Sequence, residues 1–284
     1  AAAAMAFARS LAPVVDAGAV VDDAADLPRT VSFASEQGPE LLTDPGAMLD
    51  RWRQSGSLSS EPTDLRPGER SLRAFVGTSA AGPLMLDLRT HGPHALVGGT
   101  TGSGKSEFLQ SWLLGMAVAH SPERINFLLV DYKGGAAFGE CAELPHSVGL
   151  VTDLNTRLVR RALTSLRAEL TFREHLLQQW RAKDLIDLES KERDGAPIVP
   201  SLVIVVDEFA ALVQEIPEFV DGMIDIAQRG RSLGLHLVLA TQRPSGVIKG
   251  NLRANTNLRV ALRVADEEDS DDVVGSKIAA SFDP

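Results

Sequence analysis

Gly99-Thr100-Thr101-Gly102-Ser103-Gly104-Lys105-Ser106 decides the reading of this chain. It fits the pattern G-x-x-x-x-G-K-[ST] and lies between the apolar run His94-Ala95-Leu96-Val97 and the helical pattern Ser106-Glu107-Phe108-Leu109-Gln110-Ser111-Trp112-Leu113-Leu114. Strand before and helix after is the context that separates a phosphate-binding loop from a chance glycine turn. Glycines let the backbone curl until successive N–H groups face phosphate oxygens, and the helix that follows adds the positive end of its dipole. Gly98, Gly99, Thr100, Thr101, Gly102, Ser103, Gly104, Lys105 and Ser106 are therefore expected to cradle a nucleoside triphosphate. Lys105 would reach the β- and γ-phosphates, and the Ser106 hydroxyl would hold Mg²⁺.

Outward from this loop, apolar runs at 95–98, 126–131, 201–206, 235–240 and 258–263 alternate with helical patterns. That alternation predicts an α/β fold with a mainly parallel sheet and helices on both faces. The clearest helix is expected from about Asn155 to Trp180, where Val159, Leu163, Leu166, Leu170, Leu177 and Trp180 form an apolar stripe. Residues 181–200, rich in charge around Lys191-Glu192-Arg193-Asp194, read as an exposed connection. Ala265-Asp266-Glu267-Glu268-Asp269-Ser270-Asp271-Asp272 reads as a solvated acidic loop.

The run Leu202-Val203-Ile204-Val205-Val206-Asp207-Glu208 ends in two carboxylates, which a parallel strand delivers to the sheet edge beside the phosphate loop. Asp207 is expected to share Mg²⁺ with Ser106, and Glu208 to polarise the water that attacks the γ-phosphate. Leu235 to Ala240 forms another strand whose tip continues Thr241-Gln242-Arg243-Pro244, and Gln242 is expected to orient water or phosphate. Lys133, after the strand that ends at Val130-Asp131, is a candidate for touching substrate or a neighbouring subunit; a plain glycine turn is the alternative.

Three segments are expected: a helix and linker over 1–38, a small helix and β-hairpin over 39–90, and the main ATPase domain over 91–284. Within the second, one helix is expected over Pro39 to Trp52, and Arg73-Ala74-Phe75-Val76 should pair with Leu84-Met85-Leu86-Asp87-Leu88. The 284 residues, 44% of them apolar, are enough for a proper core, and a net charge of −10 gives no global attraction for nucleic-acid phosphates. Every apolar run is far shorter than the roughly 18 residues a membrane span needs. The ends, Ala1-Ala2-Ala3-Ala4-Met5 and Asp283-Pro284, read as cuts in a longer protein, whose membrane anchor would lie elsewhere. Cys141 is the only cysteine, so an intramolecular disulfide is excluded and a reducing compartment fits. The six histidines have no metal-ligand spacing.

Gly98-Gly99-Thr100-Thr101-Gly102-Ser103-Gly104-Lys105-Ser106-Glu107, Asp131-Tyr132-Lys133-Gly134-Gly135, Val206-Asp207-Glu208-Phe209 and Ala240-Thr241-Gln242-Arg243-Pro244 occur in that order. Together they resemble the FtsK/SpoIIIE family of motor ATPases over about residues 70 to 275. Within it, Phe209-Ala210-Ala211-Leu212, Leu144-Pro145-His146 and Arg229-Gly230-Arg231-Ser232-Leu233-Gly234 are most similar to the EccC ATPases of type VII secretion in actinobacteria. The resemblance implies a RecA-like P-loop NTPase fold and a homo-oligomer or tandem ATPase modules, with a hexameric ring in the parent protein. It also implies ATP sites completed by a neighbour's arginine, worth ~10³ to 10⁵ in rate. By position Arg259 is the first candidate, with Arg253 or Arg161 behind it, so the implied catalytic set is Glu208, Lys105, Gln242 and Arg259.

The implied activity is ATP hydrolysis coupled to movement of protein secretion substrates through a membrane secretion complex, by the cytoplasmic portion of a membrane-associated parent. A double-stranded DNA translocase is the alternative, and a regulatory module that binds ATP with little turnover is a third. The acidic balance and the lack of a basic winged-helix module favour protein over DNA.

Overall fold

The computed structural model describes residues 31–58, 70–131, 137–152, 156–244 and 250–282. Most of the expected N-terminal helix and linker, and Lys133, lie outside those residues. The helices are α1 (Phe33–Gln37), α2 (Pro45–Gln54), α3 (Lys105–Ala119), α4 (Thr156–Gln179), α5 (Leu185–Ser190), α6 (Phe209–Glu215), α7 (Pro217–Leu233), α8 (Gly250–Asn255) and α9 (Glu267–Val274). The strands are β1 (Arg73–Ser79), β2 (Gly82–Asp87), β3 (Ala95–Gly98), β4 (Ile125–Asp131), β5 (Ser147–Val151), β6 (Ser201–Asp207), β7 (Leu235–Thr241) and β8 (Leu258–Ala261).

The main sheet is parallel throughout, in the order β5-β4-β6-β7-β3-β8, and β1-β2 form a separate antiparallel hairpin. All seven residues of β6 are buried because the sheet is covered twice. Leu202, Ile204 and Val206 face a core shared with α4 and α7, whereas Val203 and Val205 face one shared with α3 and the hairpin. Because both of its alternating faces are buried, the strand reads as a continuous apolar run rather than an alternating one. A parallel sheet puts every strand's C-terminal end at one edge, so the loops after β3, β6 and β7 meet there.

The structure corrects four expectations. A sixth strand, β5, pairs with β4 at the edge, a strand hidden in sequence by its five-residue length and its interior Gly149. The helix expected over Pro39 to Trp52 is two pieces: a 3₁₀ turn at Pro39–Leu42, then α2, started afresh by Asp44, which accepts a hydrogen bond from Gly46 N at 2.8 Å ahead of Pro45. Trp52 donates its indole N–H to the Ala117 carbonyl at 3.0 Å, which docks α2 on α3.

Residues 181–200 are not simply an exposed connection. Leu185 and Leu188 of α5 are buried, and Arg89 holds Glu189 at 2.5 Å. Glu192 accepts from Arg124 and, at 2.8 Å, from Arg70. Burial works against its carboxylate, but these two arginines outweigh it and hold the pKa below the ordinary value. The acidic stretch at 265–272 forms most of α9: Asp266 caps it by accepting from Asp269 N at 2.9 Å, and acidic residues in the first turn suit the helix dipole.

Buried histidines lock the strand that leads into the phosphate loop. His94 donates from Nε2 to the Ala227 carbonyl at 3.0 Å and accepts at Nδ1 from Leu237 N at 3.0 Å, so both ring nitrogens are committed to the neutral form. Burial lowers the pKa of His94 to about 4, of His120 to about 4 and of His236 to about 3. Between pH 6.5 and those values the unfolded chain takes up protons that the native chain refuses. The stabilisation is therefore complete above pH 6.5 and is lost as pH falls, at about 1.4 kcal/mol per pH unit for each histidine. Urea denaturation at pH 8, 7, 6 and 5 should show a midpoint level from 8 to 7 and falling steeply below. A midpoint that holds from pH 7 to 5 would refute this account.

Candidate nucleotide-binding site

The loop from Gly98 to Ser106 joins β3 to α3 at the C-terminal edge of the sheet. Gly102 at φ 78° and Gly104 at φ 84° take the left-handed conformation that turns the chain into the helix, which glycine adopts without strain. The loop is tied to the strands on either side: Gly99 N donates to the Thr241 carbonyl at 3.2 Å and Thr100 N to the Arg263 carbonyl at 2.9 Å. Phe108 N closes the first helical hydrogen bond, to the Gly104 carbonyl at 2.8 Å, so the N–H groups of Lys105, Ser106 and Glu107 ahead of it have no intrahelical carbonyl to meet and are available to an anion.

Lys105 is 5% exposed, and its ammonium lies 2.6 Å from Asp207 Oδ1 and 3.6 Å from Glu208 Oε2. One cation thus sits between two carboxylates, and both come from the end of β6. Asp207 also accepts from Glu208 N at 3.0 Å. Glu208 stands in the left-handed region, φ 62° and ψ 50°, where a side chain with a β-carbon is strained. That turn aims the Glu208 side chain across the sheet edge, and Oε1 accepts from Gln242 N at 3.4 Å. Gln242 in turn accepts at Oε1 from the Thr101 hydroxyl at 3.0 Å.

The donor set fits a nucleotide with Mg²⁺. The hydroxyl of half-buried Ser106 and the Asp207 carboxylate are hard oxygen donors at one edge, and Mg²⁺ in nucleotide sites is held by one or two protein oxygens plus substrate phosphates. Among the described residues no group of three or more His, Cys, Asp or Glu converges into a metal cage.

The structure thus brings together Lys105, Asp207, Glu208, Gln242 and the loop. It places Arg259 elsewhere, on β8, where its guanidinium donates to the carbonyls of Thr256 at 3.1 Å, Arg253 at 3.1 Å and Val273 at 3.4 Å. Reaching a neighbour's phosphate would mean leaving all three. Arg253 pairs with Asp272 at 2.9 Å, and Arg161 is exposed on α4. Sequence reasoning missed the Thr101–Gln242 contact and the place of Asp131. Asp131 is the register partner of Asp207 on the adjacent strand and accepts from Ala137 N at 2.8 Å.

Residues 56–246 match the model of the FtsK/SpoIIIE family. The type VII secretion system protein EssC of Staphylococcus aureus is 39% identical over 237 residues, which cover 83% of this chain and 16% of that protein. The cytoplasmic domain of the type VII secretion ATPase EccC of Thermomonospora curvata superposes with a TM-score of 0.77 at 34% identity, covering 90% of this chain and 30% of that one. ATPases 2 and 3 of the same EccC, solved with a signal sequence peptide, superpose at 0.69 with 25% identity, covering 79% and 41%. The chain therefore spans about a sixth of the length of the curated relative it matches.

Proposed function

This chain belongs to the FtsK/SpoIIIE family, and from that premise we propose that it is one ATP-hydrolysing module of a longer motor that moves protein substrates through a type VII secretion complex. The observation that carries the hydrolytic reading is the convergence of Lys105, Asp207, Glu208 and Gln242 at the mouth of the phosphate loop. The loop N–H groups and Lys105 bind the phosphates, while Ser106 and Asp207 would hold the metal. When bound, Mg²⁺ neutralises charge on the β- and γ-phosphate oxygens. Glu208 takes the proton of the attacking water, and Gln242 orients that water against the γ-phosphate.

On binding, the Lys105 ammonium would turn from the Asp207 carboxylate to a phosphate, freeing Asp207 to hold the metal. A neighbouring module would complete the site with an arginine. Arg259 can serve only by giving up its three carbonyls, whereas Arg161 has no such engagement. Protein cargo is supported by the similarity to EssC and EccC, and by the net charge of −10. In this reading the parent carries tandem modules or a ring and sits at the membrane from the cytoplasmic side; among the described residues no helix is long and apolar enough to cross one.

Steady-state ATP hydrolysis by the purified chain, alone and with duplex DNA, tests the proposal alongside a Glu208→Gln control. We expect Glu208-dependent turnover that duplex DNA leaves unchanged. Stimulation by DNA would transfer the chain to the DNA-translocase reading, and ATP binding without Glu208-dependent turnover would make it a regulatory module.

A further inference from the structure

We propose that Thr101 is the positioning residue for Gln242, setting which edge of its carboxamide faces the γ-phosphate. The inference rests on the hydrolytic reading above. The Thr101 hydroxyl donates to Gln242 Oε1 at 3.0 Å, across 141 residues of sequence. A carboxamide is planar, with its acceptor on one edge and its two donors on the other. Holding Oε1 on the loop leaves the NH₂ group to point away from Thr101, where it can donate to a phosphate oxygen or to the attacking water. Without the hydroxyl this selection is lost, and the flipped amide presents its oxygen to an anion.

The contact also closes a circuit. From Thr101 it runs to Gln242, whose backbone N–H meets Glu208 Oε1 at 3.4 Å, and from Glu208 Oε2 to the Lys105 ammonium at 3.6 Å. The loop, the water-orienting amide, the base and the phosphate-binding cation are thereby held in one arrangement. Thr101 and Gln242 line a cavity of about 680 Å³, together with Arg243, Arg263 and Asp266. Thr101 is itself exposed, so replacing it leaves the core intact.

Thr101→Val keeps the shape and removes the hydroxyl; Thr101→Ser keeps the hydroxyl. In the full chain, Thr101→Val should lower kcat about 10- to 100-fold, the scale set by a misplaced catalytic group, with KM for ATP within about threefold. Thr101→Ser should retain most of the rate, and Thr101→Val should add little to Gln242→Ala, because the two act through one contact. A wild-type kcat in Thr101→Val, or equal losses in the Val and Ser variants, would overturn the proposal. A second readout needs no turnover: the Gln242 side-chain amide resonances, assigned by their loss in Gln242→Ala, should shift in Thr101→Val and stay in place in Thr101→Ser. Resonances unmoved in Thr101→Val count against the contact even if the isolated chain hydrolyses nothing. Absence of Glu208-dependent turnover in the wild type counts instead against the hydrolytic reading.

Discussion

Lys105→Ala is expected to lower ATP affinity by about 100-fold or more. Truncating one member of a buried charge pair costs about 2–5 kcal/mol or more, and each 1.4 kcal/mol is a factor of ten. In this chain the loss is compounded, since Lys105 is the cation between Asp207 and Glu208. Its removal leaves two neighbouring carboxylates at the place where polyanionic phosphates must arrive, so the site changes from attracting to repelling the ligand. The variant should also unfold more easily, because two buried carboxylates lose the cation they share. Calorimetric titration with a slowly hydrolysed ATP analogue measures the affinity, and circular dichroism checks that the variant is folded. An unchanged Kd in a folded Lys105→Ala protein would remove the loop from the nucleotide site. Lys105→Arg keeps the charge and should lie between the two.

Glu208→Gln should separate binding from chemistry. The amide has nearly the size of the carboxylate and can still accept from Gln242 N, but it cannot take the proton of water. Turnover should fall by about 100- to 10,000-fold, the range a general base contributes, while Kd for ATP stays within a few-fold. Turnover at the wild-type level in this variant would rule Glu208 out as the base and move attention to Asp131, the register partner of Asp207 on the adjacent strand.

The parts of the fold and site that sequence reveals are those written locally. The glycine pattern before Lys105, the apolar run into Asp207 and the stripe of α4 each lie within a few turns of chain, and each element formed where its period placed it. What sequence concealed depends on distant partners. Glu189 and Glu192 look like solvated charge until Arg89, Arg70 and Arg124 are brought to them from loops and turns far along the chain. The position of Arg259 in the sequence suggested a finger, but which carbonyls surround its guanidinium is decided by how α8 and α9 fold back on β8. Thr101 was assigned to phosphate, and nothing near it in sequence points to Gln242.

The left-handed backbone of Glu208 bears on how this protein could be altered. A residue with a β-carbon pays roughly 1–2 kcal/mol to stand there, and glycine does not. The turn that aims the carboxylate is thus a built-in weakness that the simplest substitution would repair. Selecting variants of this chain for heat tolerance alone would favour glycine or asparagine at 208, and on the hydrolytic reading the hardiest survivors would be those least able to turn over ATP.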